Sequence, residues 1–307
     1  MNVRDGLKED VEEVIESTIS AVLSELDIAS WGDLDYPPVD IRLDEPPKVL
    51  VTSPRDRIMR SHEALVATDV TVKEREIMED ALLESEGLSA LVADIGGVAA
   101  YPAIVDNTGD LRWTLGTAAH EWMHHYLVAH LRPLGLKAYT NPGMMTINET
   151  MVDLAGREIG DLAFQRLGGI IEPPPPDDGR EGGSHAGGED EDGFDFDKEM
   201  RETRLRVDDM LAAGAVQDAE AYMEERRRFF AENGTYIRRL NQAYFAINGT
   251  YAEQPESSSP IGGQMREIRA LVPDLKSFIS SVSQVSVEED FLDLLERLRA
   301  QGGGGGG

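Results

Sequence analysis

The sequence predicts an α+β protein, predominantly helical, with strands and helices mixed in its first part and helices alone afterwards. Three observations lead there. Short runs of strand character, such as Val39, Ile41 and Leu43 alternating with polar residues, occur only before residue 106. From Asp110 onward the apolar residues recur at helical spacing. The 307 residues are 41% hydrophobic, enough to core one large domain or two modest ones.

Taken in order, Val11, Val14, Ile15, Ile19, Val22, Leu23 and Leu26 make one apolar face of a helix over 11–26. Strands follow at 39–43 and, after Pro46 and Pro47, at 49–52. Thr71 with Glu74 forms a capping box that opens a helix running to about residue 84. Residues 89–93 and 98–105 read as paired or consecutive strands around Gly96 and Gly97. Asp110 caps a helix over 111–130, and Pro133 and Gly135 mark its exit. After a loop rich in Gly, Pro and Asn, a second helix spans about 148–167. Residues 172–197 are acidic and rich in Pro and Gly, too poor in apolar groups to fold, and read as a disordered insertion. Helical patterns then cover 198–213, 216–232, 235–247, 264–280 and 287–300. The linear division is therefore 1–171, the insertion 172–197, a helical part 198–301 and a glycine tail 302–307.

Composition excludes several functions. With 58 acidic against 29 basic residues the formal charge is -29, which repels nucleic-acid phosphates and anionic lipid surfaces. The absence of cysteine removes disulfides, thiolate metal ligands and a cysteine nucleophile. No run of about 18 apolar residues is present to span a membrane. The start MNVRDGLKEDVEE lacks the apolar core of a signal peptide. Localisation stays open: the chain as given reads as soluble, and a precursor trimmed at Met1 would allow an extracytoplasmic or membrane-anchored protein.

The chemistry concentrates in HEWMHH, where His120, Glu121 and His124 form an H-E-x-x-H motif on a helical pattern. Residues four apart lie about 40° apart around a helix, so both imidazoles can face one ion. Glu121, displaced by about 100°, reaches a water on that ion instead. A catalytic zinc takes three protein ligands and keeps a position open. Glu149, in INETMVDLAG, supplies the third from the next helix. Asp153, one turn further on, is placed to accept a hydrogen bond from a ligating histidine and raise its basicity. Gly116 lies one turn before His120, and Gly156 seven residues after Glu149, so neither helix carries a side chain where the two must approach.

HEWMH followed by INETMVDLAG resembles the gluzincin metallopeptidases, the second segment being similar to the thermolysin-like form of their glutamate helix. The resemblance covers roughly residues 89–161, and residues 236–252 also resemble uncharacterised bacterial proteins with the same zinc motifs. It implies a zincin-like domain, one catalytic Zn2+ held by His120, His124 and Glu149, Asp153 in support, and Glu121 as general base. The implied reaction is hydrolysis of a peptide or protein substrate. Sites of this kind add an oxyanion donor, for which Tyr244 is the candidate, and a strand that aligns the substrate, for which 95–101 with Gly97, Val98 and Ala99 is the candidate. Two other readings stay open: an inactive zincin-like binding module, and a zinc hydrolase of a non-peptide bond. His125 and His130 are assigned structural roles, and His185 a solvated one in the acidic insertion.

Overall fold

The computed structural model describes residues 3–28, 30–31, 34–172 and 194–303. Its elements are α1 (Val3–Glu25), β1 (Ser30–Trp31), β2 (Leu34–Asp35), β3 (Ile41–Leu43), β4 (Lys48–Pro54), β5 (His62–Val66), α2 (Val72–Glu86), β6 (Leu88–Ala93), β7 (Gly97–Val98) and β8 (Ala103–Val105). Helices follow: α3 (Leu111–Ala129), α4 (Pro133–Lys137), a 3-10 turn (Ala138–Thr140), α5 (Pro142–Arg166), α6 (Phe196–Ala212), α7 (Val216–Glu232), α8 (Gln242–Asn248), α9 (Ile261–Leu271), α10 (Leu275–Val282) and α11 (Glu288–Gly303). The class is α+β and predominantly helical. No helix among the described residues is long and apolar enough to cross a membrane.

The chain forms two compact units and passes between them more than once. Described residues within Met1–Pro46, Ile95–Pro176 and Gly263–Gly307 make the first, and those within Pro47–Asp94 and Asp177–Gly262 the second. The linear division at residue 171 therefore does not describe the packing.

In the first unit α5 is the central element, touched by α1, α3, α10 and α11. Its buried stripe of Ile147, Met151, Val152, Ala155, Ile159 and Ala163 explains this, because helical spacing wraps those side chains around much of its circumference. Buried side chains on the neighbouring helices include Ile15 and Ile19 of α1, Leu115 of α3 and Phe278 of α10. On α1 the inner half of the expected face is buried, whereas Val11 and Val14 stay exposed. A three-stranded sheet of order β3-β8-β7 joins β3 parallel and β7 antiparallel to β8, and β7 and β8 touch α3.

In the second unit β4 is the middle strand of an antiparallel sheet of order β5-β4-β6, with Val49 opposite both Leu65 and Ala93. The capping box holds at the start of α2: Thr71 accepts from the Glu74 amide and Glu74 returns a bond to the Thr71 amide at 2.9 Å. Helix α8 lies on β4 and β6, where Asn241 donates to the Ala90 carbonyl and the Ala243 amide to Ser89 Oγ. Helices α6 and α7 enclose Met200, Val207, Met223 and Phe230.

Several expectations are corrected. Of the two alternatives for 89–93 and 98–105, the runs are consecutive and not paired: β6 pairs with β4, and the second run breaks into β7 and β8, which pair with each other. Helix α5 begins at Pro142, six residues early, because Asn141 caps it and Pro142 occupies the first turn. The helix expected over 235–247 covers only its last part, since Asn241 starts α8 as its cap. The one expected over 264–280 is divided where Asp274 caps α10. The insertion ends earlier than residue 197, for Phe194 and Phe196 stack against Phe230 and α6 has begun. Residues 173–193 and 304–307, which carry the rest of the insertion, His185 and the end of the glycine tail, lie outside the described residues.

Glu79 on α2 is fully buried, accepting from the Val92 amide at 2.7 Å, from Arg238 Nη1 at 2.9 Å and from Arg239 Nε at 2.9 Å. Removing one partner of such a network strands the others without water. Glu79→Ala should therefore destabilise the protein by about 3 kcal/mol or more. Urea denaturation measures this; a loss under about 1 kcal/mol, the scale of a surface pair, would show that the network is not a buried one.

Candidate metal centre

Helix α3 starts where Asp110 accepts from the Trp113 amide at 3.1 Å, and the four-residue spacing puts His120 and His124 on one face. Helix α5 brings Glu149 against that face. The pairs Arg112 with Asp161, Gly116 with Gly160, His120 with Gly156 and His124 with Glu149 advance in opposite sequence directions, so the helices are antiparallel. Glycine permits the close approach. A Cβ at Gly156 would lie 2.8 Å from His120 N and Cα, and one at Gly160 2.5 Å from the Gly116 backbone. Gly116 itself has open space, so its part is to receive Gly160. Gly160 was not singled out from the sequence, although its four-residue spacing from Gly156 was readable.

His120 Nε2 and His124 Nε2 stand 3.2 Å apart, and Glu149 Oε2 lies 3.7 Å from the first and 3.6 Å from the second. The last two separations exceed hydrogen-bond length. They suit a shared ion instead: bonds of about 2.0–2.1 Å at tetrahedral angles put ligand atoms about 3.3–3.4 Å apart. The donor set thus fits a metal, with the three groups mostly sheltered from solvent.

Comparison of the chain with protein-family models, with curated proteins and with solved structures finds no match. The site is therefore argued from its own chemistry.

Burial alone would depress the His120 imidazolium, but contact with Glu149 and the charges of Glu121, Glu149 and Asp153 outweigh it and raise its pKa to about 9. For Glu149 burial pushes upward, yet the two imidazoles hold the carboxyl far below the ordinary carboxylate range. The three groups thus favour a positive charge in their midst. Asp153 contributes through its charge and pairs with Arg157 at 3.0 Å. Glu121 is 6% exposed; burial raises its pKa, the nearby histidines oppose that and Glu149 adds to it.

Strand β7, the outer strand of its sheet, is held beside Glu121. A Cβ at Gly97 would lie 2.5 Å from Glu121 Oε1, so this glycine makes room for the carboxylate. The sequence had placed Gly97 in the strand expected to align a substrate. Val98 is half-buried and Ala99 exposed. His125, from the turn after His120, rests against the Ala99 and Ala100 backbone and the Tyr101 ring, 5.5 Å away. Its role in holding the strand agrees with the structural reading.

Tyr244 belongs to the second unit, where its hydroxyl donates to Glu256 Oε1 at 3.0 Å. Burial and that carboxylate raise its pKa well above the usual phenol value. The single O–H that an oxyanion donor would offer is thus committed to Glu256.

The glycine contacts carry a prediction of their own. Gly156→Ala would press a methyl group on the His120 backbone, and overpacking of this kind costs about 1–3 kcal/mol. Zinc affinity and melting temperature should fall together. Unchanged values for both would mean that α3 yields without cost.

Proposed function

We propose that this protein is a zinc-dependent peptide hydrolase in which His120, His124 and Glu149 hold the metal and Glu121 handles the proton. The observation that carries this reading is the convergence of His120 Nε2, His124 Nε2 and Glu149 Oε2 at 3.2–3.7 Å from one another beside the buried Glu121. Two nitrogens and one carboxylate oxygen, with no fourth protein ligand in the cluster among the described residues, are the donor set of a catalytic rather than a structural zinc. When bound, zinc supplies Lewis acidity to a carbonyl oxygen and lowers the pKa of a water toward about 7.

The chain's own residues do the rest. Glu121, made more basic by burial, takes a proton from the attacking water at a carboxylate oxygen and returns it to the leaving amide nitrogen. The outer edge of β7 offers the Gly97 backbone, next to that carboxylate, on which an extended peptide can pair, while the Val98 carbonyl accepts from the Ala100 amide and Ala99 is held by His125. Such pairing orients the scissile carbonyl without reading side chains.

The test joins metal analysis of purified protein to incubation with a mixed peptide library read by mass spectrometry. The expected result is about one zinc per chain and cleavage that stops on chelation. Zinc bound but every peptide intact would overturn peptide hydrolysis and leave the binding-module and non-peptide readings; absence of zinc would remove the metal centre.

A further inference from the structure

A second site lies at the far end of the zinc-ligand helix. The lining of a cavity of about 240 Å³ includes Asp27 just after α1, Tyr126, His130 and Arg132 from the end of α3, and Lys276 and Ser280 of α10. On a chain with net charge -29, a cavity holding two cations is against the trend. Lys276 pairs with Asp27 at the rim, which leaves Arg132 as the uncompensated charge. Arg132 gives one bond to the Tyr126 hydroxyl at 3.2 Å, and its guanidinium carbon lies 5.7 Å from the centre of the Tyr126 ring. Its Nε–H is shielded from solvent and has no acceptor, and no carboxylate pairs with it among the described residues. Without a carboxylate partner, the charge of that guanidinium is left for an anion to meet at its Nη nitrogens.

The backbone points the same way. Among the described residues two non-glycines adopt left-handed φ, Asp27 at 53° and Leu131 at 51°. One lines this cavity and the other immediately precedes Arg132. Asp tolerates that conformation, whereas Leu is disfavoured in it, and strain of this sort gathers where a side chain must be presented. At Leu131 it ends α3 and turns Arg132 back, with the Arg132 amide bonded to the Leu127 carbonyl at 2.8 Å. The ring of His130 is likewise fixed. Its Nε2 meets the Tyr36 carbonyl at 2.8 Å, and because a carbonyl only accepts, Nε2 is the protonated nitrogen.

We infer that this cavity is a binding site for a small oxyanion, a phosphate or carboxylate group, received by the Arg132 guanidinium. The planar fork of arginine pairs two oxygens of such a group, which a lysine cannot do. At about 240 Å³ the space exceeds what one such group fills, a water taking about 30 Å³ of liquid, so it admits a small organic anion as well as the free ion.

The experiment is calorimetric titration of the full-length protein with sodium phosphate, sodium sulfate and sodium acetate, at ionic strength held constant with chloride and both with and without chelator. Saturable binding of at least one anion is expected, unaffected by chelator, weakened tenfold or more in Arg132→Gln and only partly recovered in Arg132→Lys. Ser280→Trp, on an exposed lining residue, should also abolish it by filling the mouth, and keeps the question open to test if Arg132→Gln does not fold. Arg201→Gln, exposed on α6, should bind as wild type. Phosphate or sulfate binding without acetate identifies a tetrahedral anion, and acetate binding a carboxylate. No saturable binding of any of the three, binding lost on chelation, or full binding in both Arg132→Gln and Ser280→Trp would overturn the inference.

Discussion

Replacing His124 or Glu149 by alanine should reduce the zinc content of purified, dialysed protein from about one equivalent to near none. The size of the effect follows from sharing. Apparent free energies of about 10–16 kcal/mol for four-ligand zinc sites correspond to roughly 3–4 kcal/mol per ligand, or about 10²–10³ in affinity. Because metal binds the folded chain only, zinc at a thousand times its dissociation constant should stabilise wild type by about 4.1 kcal/mol. Chelator should lower the wild-type melting temperature and leave both variants unmoved. Asp153→Ala should fall between, losing about 10–100-fold in affinity, because it acts on a ligand rather than on the metal. Metal content unchanged in both His124→Ala and Glu149→Ala would place the metal elsewhere or nowhere. A loss in Asp153→Ala as deep as in the ligand variants would make it a ligand.

What could be read from the sequence was mostly what adjacent residues decide. The capping box at Thr71 and the cap at Asp110 use side chains within three residues of the amide they serve. Helix α7 spans the expected residues at both ends, with Gly214 in a left-handed turn just before it. The pairing of His120 with His124 was legible for the same reason: their four-residue spacing is a property of one helix. What escaped depends on distant residues. Strand β5 shows no apolar alternation, its residues being exposed or nearly so, and exists because β4 offers it an edge. The stretch before α8 has helical spacing, but Arg238 and Arg239 are drawn to Glu79, more than 150 residues earlier in the chain. Gly97 read as part of a substrate-aligning strand, and only the packing shows that its missing side chain makes room for Glu121. The passage of 47–94 into the second unit left no mark in local pattern, since strands look alike whichever helices they pack on.

Glu121→Gln should retain zinc, fold at least as well as wild type, and lose hydrolysis by about 10²–10⁴-fold, the usual contribution of a general acid-base group. The three parts of this expectation have separate causes. Zinc is retained because Glu121 is not among the converging donors. Folding is retained because burial raises the Glu121 pKa: the ionised form is disfavoured in place, so a neutral amide of the same shape relieves that cost. The amide also preserves the fit against Gly97. Hydrolysis is lost because an amide cannot take the water's proton, and the deficit should appear in kcat with KM little changed, since peptide pairing along β7 does not use the carboxylate. Steady-state kinetics on a peptide cleaved by wild type, with metal content and melting temperature measured on the same preparation, separates the three. Turnover near wild type would remove Glu121 from the mechanism even if zinc is bound. Loss of turnover together with loss of zinc would show instead that Glu121 helps hold the metal, and the division between ligands and base would have to be redrawn.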